Sequence, residues 1–110
     1  MEISTDKEKN CTIVGVKGKI DAVTSPEFEK NLSDLIGRGE KVLVMDLTGL
    51  EYISSAGLRS ILSTAKKLKT VDGKLIFFGL QGSVKDVFRI SGFGSIFKIY
   101  DSRADAVKEL

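Results

Sequence analysis

The sequence predicts an α/β domain: a mixed, mostly parallel β-sheet with an N-terminal antiparallel hairpin and about four α-helices packed mainly on one face. Three observations carry this. Short apolar runs alternate with amphipathic stretches of helical period along most of the chain. The runs "KVLVMDL" and "KLIFFGL" are nearly all apolar, as strands covered on both faces are. The polar "DKEKN" joins two strand-like segments at the start, as a hairpin turn would.

Each element has a local reason. "MEISTDK" reads as a short edge strand. In "CTIVGVKGKI", Ile13, Gly15, Lys17 and Lys19 alternate with Val14, Val16 and Ile20. "DAVTSPEFEKNLSDLIGRG" is a loop and then a helix. Thr24 and Glu27 have capping-box spacing, and Pro26 suits a first turn. Phe28, Leu32, Leu35 and Ile36 form its apolar face, and Gly37 is a natural stop. "KVLVMDL" is expected as a central parallel strand, with "TGLEYIS" as the connection to the next helix. In that helix Leu58, Ile61, Leu62, Ala65 and Leu68 form one face; Arg59, Ser63, Lys66, Lys67 and Lys69 form the other. "KLIFFGL" is a second buried strand. "GSVKDVFRISGFG" opens with Ser83 and Asp86 at capping-box spacing and buries Val84, Val87 and Phe88. "SIFKIYD" is a further strand. "SRADAVKEL" is a terminal helix with Ser102 and Asp105 as its cap pair. The resulting order is β-β-α-β-α-β-α-β-α, and strands alternating with helices imply right-handed crossovers.

The bulk composition excludes several functions. At 110 residues the chain fits one domain, residues 1–110. Hydrophobic residues make up 42% and charged residues 29%, an ordinary globular balance. A net charge of +2 with both signs interspersed argues for neither nucleic acid nor anionic lipid as a partner. No apolar run is long enough to span a membrane, and the N-terminus is polar, so a cytoplasmic location is expected. Cys11 is the single cysteine and sits in an apolar run, where it reads as a small buried hydrophobe. The chain contains no histidine, which removes His-based triads, His general acid–base chemistry and nearly every zinc constellation. Neither a GxSxG elbow nor a GxxxxGK[ST] loop is present. Asp21 and Asp46 lie near strand ends, where the simplest reading is a cap and a solvated strand end.

One stretch stands out. In "LEYISSAGLRSIL", Ser54 and Ser55 stand side by side where a helix begins. The simplest role is an N-cap, a side-chain oxygen accepting an orphan backbone N–H. The same place also tolerates an added phosphate, because a helix N-terminus carries free N–H groups and a partial positive charge. The two roles are compatible, with Ser54 capping and Ser55 presented outward.

"DLTGLEYISSAGLRSIL" resembles the signature of the STAS domain, found in bacterial anti-sigma factor antagonists. Asp46 and Thr48 match its strand end, Tyr52 and Ile53 its apolar pair, and Gly57-Leu58 its helix opening. "VKGKIDAVTSPEFEKNL" is similar to the family's Gly-x-hydrophobic-Asp loop and first helix. "GKLIFFGLQGSVKDVFRISGFGSIFKIYDSRADAV" is similar to its C-terminal half, so the resemblance covers nearly the whole chain. By position, the family's phosphorylated serine falls on Ser55 and its loop aspartate on Asp21. Ser54 stands where the family has an acidic residue, and Ala56 where it has Ser or Thr.

The resemblance implies a partner switch. Unphosphorylated, such a domain binds an anti-sigma factor that is also a serine kinase, which frees the sigma factor. Phosphorylation of the serine ends that complex, and a serine phosphatase resets it. It implies no catalytic residue, metal or cofactor in this chain, since the kinase brings ATP and Mg²⁺. The implied partner-binding set is Asp21, Val23, Thr24, Ser54, Ser55, Gly57 and Arg59. Two rivals stand beside it. One is a STAS scaffold module that no kinase modifies. The other is an enzyme using Ser55 as nucleophile, which lacks a histidine base.

Overall fold

A computed structural model describes all 110 residues. Strand β1 (Glu2–Glu8) runs antiparallel to β2 (Cys11–Ile20), from Glu2 opposite Lys17 to Glu8 opposite Cys11. This is the hairpin that the sequence predicts. Helix α1 (Ser25–Gly37) then leads to β3 (Val42–Asp46), which pairs parallel with β2. Strand β4 (Leu50–Ile53) precedes helix α2 (Ser55–Lys69). Strand β5 (Lys74–Phe78) lies parallel to β3, and helices α3 (Gly82–Ile90) and α4 (Phe93–Ile96) follow. Strand β6 (Lys98–Tyr100) pairs parallel with β5, and α5 (Arg103–Lys108) closes the fold. The sheet order is β1-β2-β3-β5-β6, with β4 joined to β2.

The sheet has two unequal faces because side chains alternate along each strand. Val14, Val16 and Ile20 of β2, Leu43 and Met45 of β3 and Phe77 of β5 point into the main core. There they meet Phe28, Leu32 and Leu35 of α1, Ile61 and Leu68 of α2, Val84 and Phe88 of α3, and Phe93 of α4. Fully burying one such side chain stabilises by roughly 1.5–3 kcal/mol. Phe77, Phe88, Phe93 and Phe97 interlock edge to face, with ring centroids 5.2–5.4 Å apart. On the opposite face Cys11, Ile13, Val44, Ile76 and Phe78 are covered by Ala106 of α5. Arg103 fastens that helix to β1, donating to Asp6 and Glu8 at 2.7 Å each. Four helices on one face and one on the other agree with the predicted packing. Both faces of β3 are covered, as its apolar run requires.

Several local expectations are corrected. The segment expected as a plain connection, Thr48–Ser54, contains β4. Leu50 lies level with Gly18 and Ile53 with Ile20, so β4 extends the parallel pairing along β2 beyond the level of Asp46 and Gly15. Four residues are too few to show a period, and their partner lies far back in the chain. The first helix ends at Gly37 as expected, but the left-handed glycine that closes it is Gly39, two residues further on. Gly39 has φ +97, and the amides of Gly39 and Glu40 return to the carbonyls of Ile36 and Leu35. This is a Schellman closure, which favours a glycine at the left-handed position. The last strand is shorter than expected, because Ser95 and Ile96 belong to α4.

Two of the three predicted capping pairs are also redirected. Thr24 precedes α1 but makes no side-chain cap, because its backbone is already helical and its hydroxyl turns back into the preceding loop. Ser83 lies inside α3, where its hydroxyl donates to the Glu51 carbonyl at 3.1 Å. Ser102 does cap α5, accepting from the Asp105 amide at 3.1 Å. The buried face of α2 is rotated from the one that hydropathy marks. Gly57, Ser60, Ile61, Thr64 and Leu68 are its buried residues. Ser60 and Thr64 are small, and the Thr64 hydroxyl is satisfied by the Ser60 carbonyl at 2.9 Å. Across the flanking α1–α2 contact, Ser63 donates to Glu29 and Lys67 to Ser33.

Candidate functional site

Strands β2 and β4 end together, and the loops that follow them carry the residues singled out by the sequence. Ile20 and Ile53 are level in the parallel pair, and the Ser54 amide donates to the Ile20 carbonyl at 2.9 Å. Asp21 and Ser54 therefore begin neighbouring loops. In parallel α/β sheets the carboxyl ends of the strands are where binding sites are commonly built.

Ser54 and Ser55 divide their tasks. Ser54 has extended backbone, φ −92 and ψ 175, and its Oγ accepts from the Gly57 amide at 3.3 Å. Its carbonyl accepts the first helical bond, from Leu58, at 3.0 Å. It is the N-cap of α2, as the local spacing predicts. Ser55 is the first residue of the helix and is exposed. Arg59, one turn further along, is exposed on the same side. Gly57 is different, because it is buried. A Cβ there would lie 2.7 Å from Ile53 Cγ1 and 2.8 Å from Ile20 Cγ2. Its lack of a side chain lets α2 start directly on the β2–β4 pair. The structure thus places Gly57 under the surface where Ser55 and Arg59 lie, within the packing that holds them.

Asp21 shapes the other loop. Its Oδ1 accepts from the amides of Val23 and Thr24, each at 3.0 Å. The Thr24 Oγ1 lies 3.2 Å from that same oxygen and 2.9 Å from the Lys19 carbonyl, and it accepts from the Asp21 amide at 2.9 Å. The Asp21 carbonyl receives the Ser25 amide at 2.8 Å. This web holds the Asp21 carboxyl below the usual carboxylate range, chiefly through the Thr24 amide. The Val23 and Thr24 bonds and the nearby Lys19 act in the same direction. Its consequence is a fixed turn that presents Val23, a residue 86% exposed. Asp46 works similarly in its own loop, accepting from the Thr48 amide at 3.0 Å and the Thr48 hydroxyl at 2.7 Å. The two aspartates each close a local turn.

The structure adds residues to this end of the molecule that the sequence reading did not single out as site residues. Tyr52 is 45% exposed and pairs across β2–β4 with Lys19. The strand "LEYI" buries both its ends, Leu50 and Ile53, so no alternation in the sequence marks Tyr52 as outward. Gln81 and Ser83 tie the start of α3 to the Thr48 and Glu51 carbonyls. No sequence signal announces those bonds.

A family model of the STAS domain matches residues 2–106. BtrV of Bordetella bronchiseptica, provisionally named an anti-sigma factor antagonist, is 40% identical over 106 residues, covering 96% of this chain and 91% of that protein. Two solved structures share the fold at lower identity. A crystal structure from Thermotoga maritima superposes with a TM-score of 0.92 at 20% identity, over 97% of this chain and 92% of that one. SpoIIAA, a Bacillus cell fate determinant solved in its phosphorylated form, superposes with a TM-score of 0.74 at 17% identity, over 98% of each chain. With a family match along nearly its whole length, and the Asp21 loop beside the Ser54–Ser55 start of α2, the chain belongs to the STAS domain family.

Proposed function

We propose that this protein is an anti-sigma factor antagonist that switches partners by phosphorylation of Ser55. In the unphosphorylated form it binds an anti-sigma factor with serine kinase activity and so releases the sigma factor. The kinase then transfers phosphate to Ser55 and the complex ends; a serine phosphatase restores the starting state. The chain serves as substrate and ligand in this cycle, not as catalyst, and works in the cytoplasm. The observation that carries the reading is the division of labour at α2: Ser54 is spent as the cap, while Ser55 is exposed. The family match and the name of the BtrV relative support the partner class.

The binding surface comprises Val23 on the loop held by Asp21 and Thr24, together with Ser54, Ser55 and Arg59. Gly57 supports it from beneath. Phosphate adds about −1.5 to −2 charges at pH 7. Against a partner these charges must be desolvated or repelled, whereas at the exposed helix N-terminus they are tolerated. Moving a bound fraction from 99:1 to 1:99 takes about 5.5 kcal/mol of differential binding. A phosphate in the contact is of the right order to supply much of it.

Incubation with the cognate kinase and ATP, followed by phosphopeptide mapping, tests the reading. Label at Ser55 that is lost in Ser55→Ala supports it. Absence of label, with the kinase active on another substrate, leaves the second reading, a STAS scaffold in a different signalling complex. The position of Ser54, where the family motif has an acidic residue, is the observation that favours that second reading.

A further inference from the structure

Ser55 and Arg59 belong to one row of α2 that runs beside α1. Ser63 donates to Glu29 at 3.2 Å and Lys67 to Ser33 at 2.6 Å, so residues four apart on α2 meet residues four apart on α1. The Ser54 amide on the Ile20 carbonyl, at 2.9 Å, keeps the same offset at the strand ends. That offset sets Arg59 level with Ser25 and Ser55 level with Asp21. Arg59 therefore stands one turn beyond Ser55, on the same side of the helix and beside the Asp21 loop.

Arg59 is exposed and makes no ion pair within the chain. The carboxylates of the neighbouring elements do not claim it. Asp21 is held by the Val23 and Thr24 amides. Glu29 of α1 accepts from Ser63 and lies 3.9 Å from Lys67. Glu51 of β4 is exposed and makes no ion pair. The first turn of α2 has no acidic residue, and its cap, Ser54, is neutral. An anion four residues before a cation is the favourable order along a helix, in agreement with the dipole. A guanidinium also matches phosphate geometry, with two parallel N–H bonds.

We infer that Arg59 holds the phosphate of phosphorylated Ser55. The inference rests on the reading of Ser55 as the modified residue. The pair has two effects. It fixes the phosphate in one place beside the Asp21 loop. It also withdraws Arg59 from the surface that the unphosphorylated protein offers a partner, so modification removes a cation from that surface as well as adding an anion. A carboxylate at position 54 would stand against the same phosphate and oppose the pair; Ser54 does not.

The test installs phosphoserine at position 55 during protein synthesis. Because no kinase is used, a missing pair is distinguishable from a Ser55 that no kinase labels. Phosphorus NMR follows the second phosphate ionisation, ordinarily at about pH 6. Arg59 favours the dianion, so the midpoint in the parent sequence should lie below that of Arg59→Gln by roughly 0.2–0.4 pH units at low salt. The gap should narrow as salt rises from about 0.05 to 0.5 M. The Arg59 Nε resonance should move with the same midpoint. Arg59→Lys, which keeps the charge and loses the fork, should fall between the two. Ser54→Asp should raise the midpoint, and Lys19→Gln on the neighbouring strand should move it less than Arg59→Gln does. Equal midpoints in the parent and Arg59→Gln would overturn the inference. So would a larger effect from Lys19→Gln, or an Arg59 Nε resonance indifferent to the phosphate.

Discussion

Replacing Gly57 by alanine gives opposite expectations from sequence and from structure. On helix propensity alone, Gly→Ala in a helix gains up to about 1 kcal/mol. In the structure the new Cβ would stand 2.7 Å from Ile53 Cγ1 and 2.8 Å from Ile20 Cγ2. Ordinary carbon contacts begin near about 3.5 Å, so two side chains must yield by roughly 0.7 Å. Ile20 is fully buried and Ile53 is 2% exposed, so neither has free space to move into. Both clashing atoms sit next to a branched Cβ, which leaves little rotamer freedom. Overpacking of this kind costs about 1–3 kcal/mol. Taking the middle of that range and the full propensity gain, Gly57→Ala should destabilise by about 1 kcal/mol, a fall in Tm of roughly 4 °C at this chain length. The displaced helix start should also slow phosphorylation of Ser55 by the cognate kinase. Thermal unfolding followed by circular dichroism, with a timed kinase assay, reads both effects. A Tm equal to or above that of the parent protein, with an unchanged phosphorylation rate, would refute the packing role given to Gly57.

Other outcomes follow from the same loops. Ser54→Ala removes the cap bond to Gly57 and should cost about 1 kcal/mol, read by urea unfolding, while Ser55 remains phosphorylatable. Ser55→Asp and Ser55→Glu should bind the anti-sigma factor much more weakly with native-like circular dichroism; Ser55→Ala should bind and resist release by ATP. Amide shift changes spread across the sheet, and not confined to the Asp21 loop and the start of α2, would point to rearrangement instead. Asp21→Ala should loosen residues 21–24, seen as faster amide exchange at Val23 and Thr24, and weaken partner binding. Because the folded-state pKa of Asp21 is lowered, its contribution is present above the unfolded carboxylate value. It is lost as pH falls through the lower folded value. The Tm gap between the parent protein and Asp21→Ala should therefore be widest near neutral pH and close on strong acidification; a gap that widens in acid would contradict the assigned bonds.

The sequence by itself determined the parts of this protein that depend on near neighbours. The hairpin, the doubly covered β3 and the apolar faces of α1 and α3 follow from periods of two and 3.6, which any short window reveals. Ser54 as a cap was readable for the same reason, since its bond reaches only to Gly57. Outcomes set by distant partners required the tertiary structure. Four residues of β4 become a strand because Gly18–Ile20 lies open to them, a pairing no local pattern encodes. Thr24 and Ser83 have the residue type and spacing of caps, yet their hydroxyls donate to the Lys19 and Glu51 carbonyls, and the Thr24 oxygen accepts from the Asp21 amide in place of a helix amide. Gly57 read as a surface position became a packing contact once Ile20 and Ile53 met beneath it. Local signals state what a residue can do. Which of those bonds forms depends on the competing groups that the fold brings within reach, and a buried polar atom or a crowded Cβ makes that choice costly to reverse.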